Sequence, residues 1–384
     1  MEQYDYLIAG GGAAGLSLVY HLLNSPLADA RIAIIDKDPK RSNDRTWCFW
    51  TDGEFVLEPV IKHRWTKMEF VSRSYSDGYD LTPYRYCMIP GIEFYNYMHE
   101  LIERSPNVTF LHGLVEETRD TEDGAELVVD GLTLRGRYLF DSLIIPEQFE
   151  VDTRRYHFIK QHFLGWFIET DVDCFDPEAI RFFDFRVPQH GVMRFIYILP
   201  FSRRSALVEY TLFSAELLSQ EEYERELRAY IEETLGIHTY RILEDERGVI
   251  PMTDQPFPRR GGRHTLYTGT KGGRVKASSG FAFHRIQHDS AAIVASLERH
   301  GHPFALPRTS QRYRLLDTML LQILYRRGEL SEEVFTRLFK RNPLDRVLRF
   351  LNEETSLIED LKLMASVPWT PFIRAYIRLK LLGP

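Results

Sequence analysis

The order of apolar and polar positions predicts a βαβ unit at the start of the chain. The run "YDYLIA" at 4–9 is apolar and β-like, and "RIAIIDKD" at 31–38 has the pattern of a second buried strand. Between them, "GGGAAGLSLVYHLLNS" begins with glycines and continues with helical spacing. A glycine turn that connects a strand to a helix in this way is typical of a helix packed on a parallel sheet.

The period of the apolar pattern changes several times further along the chain. The predicted elements are a helix at 91–104, strands at 108–113, 126–131 and 132–145, a β-rich region at 157–213, a helix at 219–234, a strand at 264–268 and helices from 311 onward. The sequence contains no repeats, no low-complexity tract and no Gly/Ser-rich linker. We therefore expect domains that are interleaved along the chain rather than arranged one after another.

One predicted hairpin carries a carboxyl inside an apolar strand. The stretch "RFIYILPFSRRSALVEYTLFS" at 194–214 consists of two apolar runs joined by a basic turn, with Glu209 in the second run. Because side chains alternate along a strand, Glu209 and Thr211 face away from Val208 and Tyr210. Their face meets either solvent, as acids on half-open antiparallel sheets commonly do, or an enclosed apolar cavity. The pattern alone leaves both interpretations open.

Charge is distributed unevenly along this chain of 384 residues, whose net charge is −7. Residues 301–384 contain 14 Lys and Arg against 9 Asp and Glu, a balance of +5, and the first 300 residues carry a balance of −12. A basic tail on an acidic body indicates contact with phosphates, either of a membrane surface or of nucleic acid.

Several classes of protein are not expected from the composition. The three cysteines, Cys48, Cys87 and Cys174, are too few and too scattered for a disulfide framework or a zinc site. No apolar run approaches the roughly 18 residues of a transmembrane helix. The opening "MEQYDYLIAG" lacks the basic and apolar regions of a secretory signal. We therefore expect a cytoplasmic protein without a metal site, which lies on a membrane if it contacts one.

The first glycine turn has the spacing of a dinucleotide-binding fingerprint. Gly10 permits the tight turn, Gly12 lets a pyrophosphate approach the backbone, and Gly15 lets the helix pack on the strand. Asp36 follows Gly15 by 21 residues, at the end of the second strand, where an acid accepts hydrogen bonds from ribose hydroxyls. The predicted site consists of Gly10, Gly12, Ala13, Ala14, Gly15, Asp36 and Lys37. FAD is favoured over NAD because the pattern continues as a β meander and not as further βα units.

A second glycine-rich turn, "GTKGGRVKASSGFAF" at 269–283, follows the predicted strand at 264–268. Flavoproteins of the aromatic-hydroxylase type have a strand, a glycine turn and a helix at this stage, which wrap the ribitol and the isoalloxazine. Glycines here would let backbone amides approach the flavin closely, and a plain surface loop is the alternative interpretation. The predicted flavin contacts of this turn are Gly269, Thr270, Gly272, Gly273 and Gly280.

These features predict an α/β (mixed α+β) fold. A Rossmann-type FAD-binding domain of the aromatic-hydroxylase/glutathione-reductase kind is interleaved with an antiparallel β-sheet substrate domain and a C-terminal helical region. The predicted boundaries are 1–45, 91–150 and 245–300 for the FAD-binding domain, 46–90 and 151–244 for the substrate domain, and 301–384 for a helical, membrane-associating region.

Longer motifs resemble the bacterial lycopene cyclase family over nearly the whole chain. They are "DYLIAGGGAAGLSL", "DRTWCFW", "QHFLGWFIE", "FIYILPFSRRSALVEYTLFS", "GVIPMT", "GTKGGRVKASSGFAFHRIQHDS", "LDTMLLQILYRR" and "RFLNEETSLIEDLKLM". The resemblance implies an FAD-dependent isomerase that closes the ψ-ends of lycopene to β-ionone rings, giving gamma-carotene and then beta-carotene. It implies reduced FAD without net redox change, NAD(P)H as the reductant, and a place on the inner face of the cell membrane with no nucleic-acid partner.

The resemblance assigns Glu209 as the general acid that protonates the substrate. An apolar chamber would raise the pKa of this carboxyl and keep its proton available at neutral pH. The sequence departs from the expected pattern twice. Thr270 follows Gly269 where many flavoproteins have Asp, and Tyr210 stands where family members usually have a second acid. A relay between two carboxylates at 209 and 210 is therefore not expected.

Other residues in these motifs have two interpretations each. Arg45 in "DRTWCFW" is placed to reach the flavin or its pyrophosphate, with a surface salt bridge as the alternative. The aromatic residues of the same motif, Trp47, Phe49 and Trp50, line a polyene channel or belong to the core. In "FLNEETS" at 350–356 the acidic pair Glu353 and Glu354 has helical surroundings and predicts a solvated helix face or an N-terminal cap.

The tail predicts an amphipathic helix at the membrane interface. In "TPFIRAYIRLKLLGP" the residues Arg374 and Arg378 share one helix face, and Ile373, Ile377 and Leu381 form an apolar row. The stretch "RYRLLDTMLLQILYRR" at 312–327 has the same character. Core packing with a basic outer face is the alternative for both.

Two rival functions follow from the predicted fold. A flavin-dependent monooxygenase or reductase that acts on an isoprenoid lipid would use the same architecture. A carotenoid or lipid carrier with a vestigial flavin site would also use it. The type of ring and the number of ends closed depend on where protons leave, and the resemblance favours the β ring.

Overall fold

The computed structural model describes residues 3–144 and 149–381 of the chain. Residue 145, the end of one predicted strand, and residues 382–384, the end of the predicted tail, lie outside the described residues. In chain order the strands of this part are β1 (Gln3–Ala9), β2 (Ile32–Asp36), β3 (Thr46–Thr51), β4 (His63–Trp65), β5 (Lys67–Val71), β6 (Ser76–Asp80), β7 (Arg85–Pro90), β8 (Val108–His112), β9 (Val115–Asp120), β10 (Ala125–Val129), β11 (Leu132–Asp141), β12 (Phe158–Thr170), β13 (Ala179–Asp184), β14 (Met193–Pro200), β15 (Ser205–Ser214), β16 (Tyr240–Thr253) and β17 (Thr265–Tyr267).

Most helices lie near the start of the chain or in its last hundred residues. They are α1 (Ala13–Leu23), α2 (Gly91–Glu103), α3 (Gln220–Ala229), α4 (Phe283–His300), α5 (Gln311–Arg327), α6 (Ser331–Arg341), α7 (Leu344–Leu351), α8 (Leu357–Ser366) and α9 (Trp369–Leu381). Two of them begin with a capping box, in which a serine accepts a hydrogen bond from the backbone and a glutamate three residues later bonds back. The pairs are Ser219 with Glu222 at α3 and Ser356 with Glu359 at α8.

The first sheet has the strand order β8-β2-β1-β11-β10-β9, with β17 also paired to β11. Strands β8, β2, β1, β11 and β17 run parallel, and β10 and β9 form an antiparallel meander with β11. Because β2 is buried at every position, it reads as a continuous apolar run, as central parallel strands do. One face of the sheet packs on α1, α2 and α4, and the other is covered by the side chains of its own meander.

The second sheet has the order β16-β12-β15-β14-β13-β5-β6 and is antiparallel except where β13 pairs with β5. One face carries Leu164, Val208 and Tyr210 against α3 and the π-helical turn Tyr230–Thr234 that follows it. The opposite face lies towards the helices α5 to α9, and the small sheet β3-β7-β4 packs beside it. The residues described below as a candidate site lie between this face and those helices.

Most of the predicted elements are present. The structure adds strands that the pattern did not predict: β3 to β7, β9 and β16. The domain boundary predicted at residue 245 falls inside β16, which pairs with β12 along most of its length and belongs to the second sheet. The stretch 312–327 is α5, and its residues Leu321, Ile323 and Leu324 are buried in the core, as in the alternative of core packing with a basic outer face.

Candidate active site

The first glycine turn has the geometry of a dinucleotide-binding turn. Gly10 has φ +105°, in a region that side chains other than glycine rarely adopt. A Cβ on Gly15 would lie 1.9 Å from the carbonyl oxygen of Gly10, so this glycine lets α1 pack on β1. A Cβ on Gly12 would meet nothing within 4 Å. The amino end of α1 therefore borders open space at the position where a phosphate approaches.

The other residues predicted for this turn have different surroundings. Asp36, at the end of β2, is buried and accepts hydrogen bonds from the backbone N–H groups of Gly11 at 2.6 Å and Asp38 at 2.8 Å. It therefore braces the turn itself. Lys37 is exposed, and Ala13 is the first residue of α1.

The second glycine turn packs against the first. Gly269 has φ +56°, and a Cβ there would lie 2.8 Å from the Cβ of Ala14 in α1. The glycines at 272, 273 and 280 do not tolerate a side chain: Gly273 and Gly280 have positive φ, and a Cβ on Gly272 would lie 2.4 Å from the carbonyl oxygen of Tyr267. The two predicted turns thus form one continuous surface beside the cavity.

A cavity of about 520 Å³ lies beside the second glycine turn, against the face of the second sheet. Thr270 and Gly280 of that turn line it, as do Leu363 of α8, Phe372 of α9 and Val367 between these helices. Its walls are rich in aromatic side chains: Trp47, Tyr86, Phe163, Phe182, Phe183, Phe195, Tyr197, Phe213, Phe281, Phe283, Tyr313, Phe335, Phe350 and Phe372. Such a space suits a long apolar molecule with one end near the glycine turns.

Glu209 projects from β15 into this cavity. Its neighbours Val208 and Tyr210 are buried on the other face of the sheet, so the alternation predicted for this strand is confirmed. Thr211 donates a hydrogen bond to Oε1 of Glu209 at 2.5 Å. Burial raises the pKa of Glu209 to about 8, with a smaller rise from Glu246 and an opposing effect of the Thr211 hydrogen bond. The carboxyl is therefore largely protonated at neutral pH.

A second carboxyl in the cavity, Glu246, was not predicted. It lies on β16 and accepts hydrogen bonds from the backbone N–H and the hydroxyl of Thr46, at 3.0 and 2.7 Å. Burial is the first cause that raises its pKa, and the Thr46 hydrogen bonds oppose the rise. The stretch "YRILEDERGVIPMT" has so many charges that it does not resemble a strand. The available signal was its period of two, which places Glu246 and Gly248 on one face.

Tyr210 belongs to the core on the face of the second sheet away from the cavity. It is fully buried on the face of the second sheet opposite Glu209, and Arg194 donates a hydrogen bond to its hydroxyl at 3.0 Å. A carboxyl at position 210 would not enter the cavity, because successive side chains point to opposite faces. The second carboxyl that acts on Glu209 in the cavity is Glu246, which comes from another strand, β16.

The residues of the "DRTWCFW" motif divide between the cavity and the core. Trp47 lines the cavity and stacks on Phe283, with ring centroids 4.9 Å apart. Phe49 and Trp50 are buried in the two cores and do not line the cavity, so the core interpretation holds for these two. Arg45 also lines the cavity, but its guanidinium forms an ion pair with Asp44 at 2.8 Å.

The acidic pair of "FLNEETS" is not part of a solvated helix face. Helix α7 ends at Leu351, and Glu353 lies after it with φ +68°. Its carboxylate forms ion pairs with Lys276 at 2.8 Å and Arg285 at 2.6 Å, which hold its pKa below the usual value despite burial. The cap of the next helix is Ser356. Glu353 thus ties the helical region to the second glycine turn.

Helices α8 and α9 expose an apolar surface on the side away from the cavity. We define the α8–α9 surface as these side chains: Leu357, Ile358, Leu361, Trp369, Ile373, Tyr376, Ile377 and Leu381. Ile358 and Trp369 are 66% and 69% exposed. The apolar row predicted for the tail is therefore outside the core, beside Arg374, Arg378 and Lys380. Across residues 3–144 and 149–381, no helix combines the length and the apolar character needed to cross a bilayer.

Comparison with known sequences identifies related proteins along most of the chain. A sequence model of the family described as "Lycopene cyclase protein" matches residues 5–377. A chloroplastic neoxanthin synthase of Solanum tuberosum is 27% identical over 329 residues, which cover 81% of this chain and 64% of that protein. A chloroplastic lycopene beta cyclase of Arabidopsis thaliana is 25% identical over 78% of this chain and 61% of that protein. The chain thus matches somewhat less than two thirds of the length of these relatives.

Solved structures with a similar fold include two flavoenzyme-like proteins. A geranylgeranyl bacteriochlorophyll reductase-like protein of Thermoplasma acidophilum has a TM-score of 0.60 at 13% identity, over 99% of each chain. A probable FAD-dependent monooxygenase of Pseudomonas aeruginosa has a TM-score of 0.62 at 15% identity, over 87% of this chain and 99% of that one. At such identities the likeness concerns the fold alone, and it confirms the predicted fold class.

Proposed function

The chain belongs to the lycopene cyclase protein family, and from this premise we propose that it closes the ψ-ends of lycopene to β-ionone rings without net redox change. The first product is gamma-carotene and the second is beta-carotene. The observation that carries the proposal is Glu209, a carboxyl with a raised pKa inside an aromatic cavity. An isoprenoid double bond is a weak base, so its protonation needs an acid that keeps its proton in apolar surroundings.

The reaction adds one proton to the substrate and removes one proton from it, so the composition of the hydrocarbon does not change. Glu209 transfers its proton to the terminal double bond, which leaves a tertiary cation on the hydrocarbon. The neighbouring double bond attacks that cation and closes the ring, and loss of a ring proton restores neutrality. Aromatic faces such as those of Phe182 and Tyr197 attract a passing positive charge. A cavity that excludes water protects the cation from capture as an alcohol.

The residues around the two glycine turns fit FAD. The space in front of Gly12 suits a pyrophosphate at the amino end of α1. Near Gly280, the buried side-chain oxygens of Gln161 and Ser279 have no hydrogen-bond partner among the described residues. Polar atoms of this kind would be satisfied by the polar edge of an isoalloxazine. Bound in its reduced form, with NAD(P)H as the reductant, FAD would supply negative charge beside the cavity.

Gly12→Ala is expected to weaken FAD binding while leaving the fold intact. A methyl group at this position meets no protein atom, but it occupies the space of the phosphate. Flavin titration followed by fluorescence measures the dissociation constant, and thermal unfolding without flavin measures stability. We expect the affinity for FAD to fall about 10-fold or more, which corresponds to a loss of at least about 1.4 kcal/mol of binding free energy. Gly78→Ala is the matched control because its Cβ also meets nothing, and equal affinity in both variants would contradict the assignment.

We also propose that the protein lies on the inner face of the cell membrane. The proposal is supported by the α8–α9 surface, where exposed apolar side chains stand beside basic ones, as expected of a helix at an anionic interface. The opposite sides of the same two helices line the cavity at Leu363, Met364 and Phe372. A polyene dissolved in the bilayer would thus have a short path to Glu209.

The proposed reaction has a direct test against the rival redox functions. The purified protein is incubated anaerobically with lycopene in liposomes and chemically reduced FAD. The products are separated by chromatography, and their molecular masses are measured by mass spectrometry. We expect ring-closed products with the mass of lycopene. Products of altered mass, formed with stoichiometric consumption of NADPH, would instead indicate a monooxygenase or reductase of isoprenoid lipids. Unchanged lycopene would contradict both and leave a carrier.

A further inference from the structure

Three residues on neighbouring strands place two carboxyls on opposite sides of one glycine. Gly165 of β12 pairs with Glu209 of β15 on one side and with Glu246 of β16 on the other. Directly paired residues point to the same face, so both carboxyls enter the cavity. The two Cα atoms lie about 10 Å apart, because neighbouring strands are about 4.8 Å apart.

Gly165 lies between the two carboxyl-bearing residues, and side chains of β15 pack directly over its backbone. A Cβ on this residue would lie 2.8 Å from Cδ1 of Leu207 and 3.4 Å from Cβ of Glu209. Phe163, two residues before Gly165 on the same face of β12, lies against Gly248 of β16 and forms the next part of the wall. The floor between the carboxyls is therefore formed by the backbone of Gly165 with the side chain of Leu207 over it, and Phe163 lies beside it.

The two carboxyls have unequal hydrogen-bond partners. Glu246 accepts two hydrogen bonds from Thr46, one at each oxygen, and Glu209 accepts one from Thr211. Donors aimed at a carboxylate favour its ionised form. Of the two, the pKa of Glu209 has the large rise, to about 8. Environments that separate two neighbouring acids in this way divide the roles of proton donor and proton acceptor.

We propose that Glu246 is the base that removes the ring proton in the cyclisation, while Glu209 delivers the first proton from the other side of Gly165. This assignment rests on the proposed function. The O–H bond of Glu209 breaks as a C–H bond forms at the substrate terminus. After the ring C–C bond has formed, a ring C–H bond breaks, its proton goes to Glu246 and its electron pair becomes the ring double bond. Exchange with solvent resets both carboxyls, and the mass of the hydrocarbon is unchanged.

The test replaces each carboxyl and analyses the products as well as the rate. In Glu246→Gln the amide oxygen still accepts from Thr46, but the base is lost. We expect the cation to form and then to be converted to other products, which are ring isomers with a different double-bond position or alcohols. The fraction of β rings should fall at least about 10-fold, within the range of one general base. Glu116→Gln, which removes an exposed carboxyl on β9 of the first sheet, should give wild-type products.

Two further results decide between this role and a structural one. Infrared spectroscopy at pH 6 should show the protonated Glu209 band in Glu246→Gln, and loss of that band would overturn the inference because the acid itself would then be disturbed. The groups that act on Glu246 are Thr46 of β3, Asp44 just before β3 and Glu244 on its own strand, and none of them is replaced in this variant. Glu246→Asp retains a carboxylate and should restore part of the β ring.

The inference and the proposed function fail in different ways. If wild-type protein closes rings and Glu246→Gln closes them with the same rate and product ratio, Glu246 is not the base and the function stands. If wild-type protein closes no rings under reducing anaerobic conditions, the function itself is lost, and the role of Glu246 is lost with it.

Discussion

Glu209→Gln is expected to abolish ring closure, with a loss of about 10²–10⁴-fold in kcat, the usual contribution of one general acid. Glutamine has the same size and still accepts the hydrogen bond from Thr211, but it carries no proton that an alkene can take. Product formation from lycopene in liposomes with reduced FAD measures the effect. Flavin affinity and lycopene binding should remain at the wild-type level, and Glu116→Gln, at an exposed carboxyl of β9, should retain full activity.

The wild-type pH profile provides a second measure of the same acid. Only protonated Glu209 can donate, and its pKa is raised to about 8, so kcat should stay high at neutral pH and fall as the pH rises through about 8. Stability should follow the same titration. The raised pKa makes the folded state lose stability as the pH rises from about 4.5 to about 8. The melting temperature of Glu209→Gln should therefore exceed that of the wild type by a margin that grows as the pH rises over this range. Equal melting temperatures at pH 9 would contradict the burial of this carboxyl.

Replacing three exposed side chains of the α8–α9 surface is expected to release the protein from anionic liposomes. Ile358, Leu361 and Trp369 are more than half exposed, so changing each to Ser should leave the core intact. A large apolar side chain gains about 1.5–3 kcal/mol when it leaves water completely. Because the wild type gains from the insertion of three such residues even when it is partial, we expect liposome binding of the triple variant to fall by ~10²-fold. Sedimentation with liposomes of increasing anionic lipid content measures this change.

The control for this surface uses apolar side chains exposed elsewhere. Leu132, Val172 and Leu243 are 58%, 65% and 62% exposed and do not belong to α8 or α9. The triple Ser variant at these positions should bind liposomes like the wild type. Substitution is preferable to removal of residues 370–384, because Phe372 is buried and lines the cavity. If both triple variants sediment equally, the α8–α9 surface does not bind the membrane.

Both predictions depend on one spatial relation, the cavity between the second sheet and the last helices. The second glycine turn, the inner sides of α8 and α9, and Glu209 on the sheet all line this cavity. A ring-closing enzyme needs this arrangement, because its substrate arrives from lipid and its acid must be shielded from water. The cavity thus connects the proposed membrane contact to the proposed chemistry.

Local features of the chain were predictable because they depend on near neighbours. The glycines at 10, 12 and 15 follow directly from the backbone needs of a strand-to-helix turn, and the structure places them in that geometry. The two faces of β15 follow from the alternation of side chains, which is a property of any strand. The resemblance of long motifs carried the family assignment, which the match over residues 5–377 confirms.

Errors and open alternatives arose where long-range contacts decide the environment. Glu353 has helical neighbours in sequence, but its ion pairs are with Lys276 and Arg285, more than sixty residues away. Phe49 and Trp50 share a motif with Trp47, yet only Trp47 reaches the cavity. Strand β16 was overlooked because its charges obscure the apolar period on which strand prediction depends.

The chain's order of residues therefore established the glycine turns, the fold class and a candidate acid at position 209. Tertiary structure alone decided whether that acid meets water or an apolar cavity, and which residue is its partner. The reason is that burial and electrostatic coupling depend on distance in space. Glu246 is 37 residues from Glu209 along the chain, yet only the width of one strand and the bare backbone of Gly165 separate them in the sheet.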